Sequence, residues 1–108
     1  MAETFKMKNA TLTTANANVY VCPASTTAVL FLGQLSNIDG ANSVDVSIAA
    51  VDSSATSTKF LIKTVPLPAD SATTFLTGKL VLETGDYIFG SANANSHVDV
   101  TVSILEIT

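Results

Sequence analysis

The 108-residue sequence has no arginine and no tryptophan, one cysteine, one histidine and five lysines, and charged residues make up only 13% of it. Each scarcity removes a class of function. Phosphate backbones are held by clustered Lys and Arg that release counterions on binding. With a net charge of −4 and lysines scattered at positions 6, 8, 59, 63 and 79, the chain is not expected to bind nucleic acid. Lys59 and Lys63 fit one face of a solvated strand edge. The lone Cys22 allows no intrachain disulfide and no CxxC metal or redox motif. In VYVCPAS it lies between an apolar run and a proline, where it reads as a small buried hydrophobe. The lone His97 excludes multi-histidine zinc sites and forces any hydrolytic triad to be built on one imidazole. Beside Ser96 and Asp99, with no G-x-S-x-G elbow, it reads as an exposed strand-edge histidine. No catalytic residue is assigned, no enzyme activity is expected, and no cofactor or metal is called for.

Long apolar runs are missing too. The opening MAETFKMKNA lacks a basic start, an apolar stretch and a small-residue cleavage pattern, so it does not read as a secretory signal. The longest run, AVLFLG, is far too short for a membrane-spanning helix. Synthesis in a cytoplasm without export, and no membrane partner, are the expectations.

What the chain does have is alternation. In SVDVSIAAV, Val44, Val46 and Ile48 alternate with Asp45, Ser47 and Ala49, a period of two that turns one face to a core and the other to water. HVDVTVSILEI repeats the pattern from Val98 through Val100 and Val102 to Ile104. It is then expected to slip, with Leu105 and Ile107 apolar around Glu106, as at a bulge or where a strand leaves its sheet. TAVLFLGQL is apolar on both faces, as a central strand covered by a core on one side and a partner chain on the other would be. TLTT, NVYVC, KFLIKTV, TTFLT, KLVLE and DYIFGSA are further strand candidates, separated by turn formers at short, even spacing. Helical periodicity is nearly absent. The expected fold is all-β: a single antiparallel β-sandwich, jelly-roll-like or immunoglobulin-like, of about eight or nine short strands. Residues 11–108 form the sandwich, and residues 1–10 an N-terminal arm or first edge strand. With Phe5 and Met7 alternating against Thr4, Lys6 and Lys8, that arm is suited to adding to a neighbour's sheet.

Two acidic stretches require a decision between chemistry and geometry. LVLETGDYIFG sets Glu83 and Asp86 three apart around Gly85, which can take the positive φ of a tight turn. The pair reads as the rims of a hairpin, not as a catalytic dyad, because nothing provides a cleft that would drive two pKa values apart. SNIDGANSVD offers Asn37, Asp39, Asn42 and Asp45 as oxygen donors, but fails the EF-hand spacing and carries Asp-Gly, a turn signal. Pro66 and Pro68 in TVPLPAD each remove a backbone donor, which suits an edge or a crossover between sheets.

A surface that is polar but poor in charge can be packed against neighbours without desolvating many ions. Phe5, Met7, Leu30 and Leu32 are the residues expected to make such protein contacts. NVYVCPASTTAVLFLGQLSNIDGANSVDVSI, followed by KFLIKTVPLPADSATTFLTGKLVLETGDYIFGSANANSHVDVTVSILEI, resembles small virion structural proteins of tailed bacteriophages, particularly phages of cyanobacteria. The likeness runs from about Leu12 to Ile107, and VPLPAD, LVLETGD and VSILEI are its most specific pieces. It implies a capsid decoration (cement) protein on the outer face of the major capsid protein shell, or a tail, neck or fibre component. By analogy the assembly is a homo-oligomer, a trimer, located on the virion. A carbohydrate-binding sandwich is the reading from another class; Tyr20, Tyr87 and Phe89 would have to supply its stacking platform, which the shortage of aromatics disfavours.

Overall fold

The computed structural model describes residues 2–76 and 78–108. Met1, at the head of the expected arm, and Thr77, at the end of the expected TTFLT strand, lie outside the described residues. Nine strands are found among them: β1 (Glu3–Thr11), β2 (Ala17–Val21), β3 (Thr27–Asn37), β4 (Val44–Asp52), β5 (Ser57–Leu67), β6 (Ala72–Thr74), β7 (Leu80–Leu82), β8 (Tyr87–Ala92) and β9 (Val98–Ile107). All pairings are antiparallel. Sheet A runs β1-β9-β3, with β6 and β7 both paired to β3 along separate stretches, and sheet B runs β2-β8-β4-β5.

The pairing is nested. β1 pairs β9, β2 pairs β8, β3 pairs β6 and β7, and β4 pairs β5. The chain is thus one long hairpin rolled over on itself, the jelly roll of the two expected sandwiches. The alternation that specifies it is preserved to the end of β9, where Val98, Val100, Val102 and Ile104 are fully buried beside Leu30 and Leu35 of β3 and face Val46, Ile48 and Ile88 of sheet B. Each such side chain contributes about 1.5–3 kcal/mol of apolar burial, so a register slip of one residue, which turns the whole set outward, is strongly disfavoured.

Two glycines make room for this core. A Cβ on Gly33 would lie 2.6 Å from the Phe75 ring, and one on Gly90 would lie 2.6 Å from Ile48 Cδ1. Phe75 therefore swings in after the three-residue β6, with its amide donating to the Gly33 carbonyl at 3.1 Å. The expected TTFLT strand is correspondingly cut short.

Three expectations about these elements need correction. The alternation of β9 does not slip at its end: Glu106 takes the next inward position and is 6% exposed, while the irregularity falls on β3, between Leu30 and Leu32. The turn at Glu83–Asp86 does not close a hairpin, because β7 belongs to sheet A and β8 to sheet B. It is a corner between layers. Leu30 is fully buried and unable to touch a partner. The N-terminal segment, expected as an arm or a first edge strand and suited to a neighbour's sheet, pairs with β9 of its own chain over nine positions from Glu3↔Ile107 to Thr11↔Asp99. Pro66 and Pro68 lie as expected: Pro66 is on β5, the edge of sheet B, and Pro68 follows in the crossover to β6.

Candidate interaction surfaces

The polar residues weighed for chemistry do not converge. Among the described residues no group of three or more His, Cys, Asp or Glu is placed to hold a metal ion. His97 sits in the turn before β9, not on the strand, with Nδ1 3.2 Å from Asp39 Oδ2 and no hydrogen bond to that nitrogen. The side-chain oxygens of Asn37 and Asp39 are occupied by the loop itself. Asn37 Nδ2 donates to the Asn42 and Leu67 carbonyls, Asn37 Oδ1 accepts from the Asp39 amide, and Asp39 accepts from the Asn42 side chain and the Ala41 amide. Those bonds hold the Asp39 carboxyl below the ordinary carboxylate range.

At the ETGD corner Gly85 has φ +88°, and the Asp86 amide donates to the Glu83 carbonyl at 2.9 Å. The Asp86 carboxylate, 6% exposed, accepts from the Glu83 amide, the Ser53 amide and the Ser53 hydroxyl. It fastens the corner to the loop after β4. An open cleft of about 500 Å³ beside it is lined by Ser25, Thr26, Ser54, Glu83 and Thr84, and no aromatic side chain lines it. Cys22 is buried and donates from Sγ to the Thr26 carbonyl; burial pushes its thiol pKa up.

The buried ionic feature that sequence reading missed is Glu106. Its Oε2 accepts from the Tyr20 hydroxyl at 2.5 Å and its Oε1 lies 2.8 Å from Lys6 Nζ, joining β9, β2 and β1. Bonding to Lys6 first, and to Tyr20 second, holds the Glu106 carboxyl below its ordinary range; burial first, and then Glu106, drives the Tyr20 phenol far up. A carboxylate so engaged is a tie between strands. Its signal was the strict parity of β9, which assigns position 106 inward whatever its hydropathy.

The lysines follow a pattern of their own. Lys6 and Lys8 line the gap between β1 and β2 at one open edge of the sandwich. Lys59 and Lys79 line the gap at the other, between β5 and β7. Inward-aimed charges on edge strands discourage strand addition by a second chain. Only Lys63 stands on a broad face, its Nζ 5.0 Å from the Phe60 ring centre on sheet B.

The broad faces carry the exposed apolar side chains. Outward residues of sheet A align in a row, Phe5–Leu105–Val29–Val81, and the next row pairs Met7, Ser103 and Leu32. The β3 bulge inserts Phe31 between Leu30 and Leu32, where its ring meets Phe5 edge-on at 6.1 Å. Phe5 is 71% exposed and Met7 63%, with Phe31, Leu32 and Val81 also exposed. Three of the four expected contact residues, Phe5, Met7 and Leu32, thus share one surface; Leu30 does not, and Phe31 takes its place because of the bulge. On sheet B, Tyr87 and Phe89 face outward and Phe60 meets Phe89 edge-on at 6.4 Å, next to exposed Val21.

No protein-family model and no curated protein sequence matches the chain. Solved structures do. The chain is similar to a subunit of the Bacillus endospore appendages, described as a novel family of disulfide-linked pili, with TM-score 0.58 and 16% identity over 99% of this chain and 87% of that one. It is also similar to the capsid particle of the extra small virus of the giant freshwater prawn Macrobrachium rosenbergii, with TM-score 0.51 and 11% identity over 97% of this chain and 77% of that one. A pentameric capsid protein from metagenomic phage sequences aligns more loosely, with TM-score 0.45, 16% identity, and 91% and 60% of the two chains covered. At these identities the first two likenesses show the all-β fold that the strand pairing specifies. No helix of the described residues is long and apolar enough to cross a membrane.

Proposed function

We propose that the chain is a virion structural protein, and in its most concrete form a decoration (cement) protein bound to the outer face of an assembled shell of major capsid protein. The observation that carries the reading is the pair of broad faces, each with a cluster of exposed apolar side chains and few charges, on a sandwich in which Asp39, Asp86 and Glu106 are taken up by turns and ties. Contiguous exposed apolar surface of this kind marks protein contacts. The fold shared with a pilus subunit and a virus capsid protein supports an assembly role, as does the resemblance to phage virion proteins. Function would follow from mass action: a subunit that binds only the finished lattice stabilises it, and many modest contacts add up.

The test is direct. Purified protein is mixed with expanded empty phage shells at micromolar concentration, and binding is expected with a rise in the shells' disruption temperature. Absence of binding refutes the decoration role. Label found only at a single vertex or along the tail of intact particles refutes it in favour of a tail, neck or fibre role.

A further inference from the structure

The two broad faces differ in charge as well as in position. Among sheet A's strand residues the outward charges are Glu3 and Asp99, the latter accepting from the Thr11 hydroxyl, and no lysine stands among them. Sheet B's outward face has Asp45 at one end and Lys63 beside its aromatic cluster. The remaining lysines guard the open edges, where they oppose pairing of one chain's strands with another's. Contact between copies is thereby discouraged at the edges and left open on the faces.

We propose that sheet A of one copy seats on sheet B of a second, the Phe5–Phe31 cluster meeting the Phe60–Phe89 cluster. Facing A to A sets acid only against acid, whereas facing A to B offers the acids of face A the Lys63 ammonium beside the aromatic cluster, with Asp45 the opposing acid at the far end. The longest strands, of eleven residues or about 36 Å, can only run along the longest of the molecule's extents of 47, 27 and 21 Å, so a broad face measures at least 47 by 21 Å. That outline has room for the roughly 800 Å² per partner of a standard interface. Because the two patches lie on opposite sides of one molecule, the contact is heterologous, and each added copy presents a fresh face. The inference deepens the homo-oligomer element of the virion reading and is tested without any shell, so the two fail separately.

The test uses Phe5→Asp, which spoils face A, and Phe60→Asp, which spoils face B; both side chains are substantially exposed, at 71% and 46%. Sedimentation velocity across micromolar to sub-millimolar concentration is the measurement, with circular dichroism as the check on folding and the serine variants at both positions as replacements if an aspartate unfolds the chain. The parent is expected to form concentration-dependent oligomers and each variant alone to remain monomeric, its association weakened at least tenfold. Mixed one to one, the variants retain one sound face A and one sound face B between them and are expected to form a heterodimer that grows no further. A parent that stays monomeric, or a mixture that does not associate, overturns the proposal. Self-association of Phe60→Asp alone overturns it in favour of A on A, and of Phe5→Asp alone in favour of B on B.

Discussion

Removing the Glu106 carboxylate tests whether a buried ionic tie holds the first strand to the sandwich. In Glu106→Ala the Tyr20 hydroxyl, on a residue 5% exposed, loses its acceptor where water has little access. A buried hydroxyl left unsatisfied costs about 1–3 kcal/mol. The Lys6 side chain is 43% exposed and can turn to solvent, so the lost ion pair adds only about 0–1 kcal/mol. The expected destabilisation is about 1–4 kcal/mol, and at roughly 4–8 °C per kcal/mol for a domain of this size Tm falls by about 4–30 °C. Glu106→Gln keeps an acceptor for Tyr20 and is expected to cost about 1 kcal/mol. Tyr20→Phe strips a donor from the buried carboxylate, at about 1.5–3 kcal/mol. The pH dependence has a definite sign. Because the folded pKa of Glu106 is depressed, its stabilisation is complete above the unfolded value, about 4.3, and is lost as pH falls through the lower folded value. The Tm gap between parent and Glu106→Gln should therefore be widest near neutrality and close within that acidic window. Thermal melts by circular dichroism from neutral to strongly acidic pH are the assay. A Glu106→Ala variant as stable as the parent, or a gap that widens on acidification, would refute the reasoning.

Gly33→Ala forces a methyl to within 2.6 Å of the Phe75 ring and should cost about 1–3 kcal/mol, read as a Tm drop that Phe75→Leu in the same chain partly restores. Asp86→Ala leaves the Glu83 and Ser53 amides without their acceptor and should lower stability by about 2 kcal/mol in urea titrations, with the unfolding slope unchanged. Cys22, buried and with its thiol pKa raised, should react with a thiol reagent at neutral pH only after denaturant unfolds the chain; prompt labelling of the native protein would contradict its burial.

The parts of the fold legible in the sequence were those specified by local chemistry. The period of two in β4 and β9, the proline-marked edge at Pro66 and the positive φ of Gly85 each follow from residues a few positions apart. Pairing was not legible in the same way. ETGD builds the same tight turn whether the next strand stays in its sheet or crosses to the other, and only the contacts of β7 with β3 and of β8 with β4 distinguish the two. Leu30 and Phe31 exchange roles for a related reason: the bulge is a property of two strands together, and both residues are equally apolar in the sequence. Glu106 reads as a break because an acid seldom points into a core, and its partners Tyr20 and Lys6 lie 86 and 100 positions away in the chain.

The extra residue in β3 separates two design problems that a regular strand would couple. Opposite β9, Leu30 faces Ile104 and Leu32 faces Ser103, so Phe31 alone is supernumerary to the ladder. Deleting it would restore an unbroken pleat and trim the exterior while the interior packing stayed in phase. The apolar area of that surface is therefore adjustable by changes in chain length as well as in side chain, without renegotiating the folded interior.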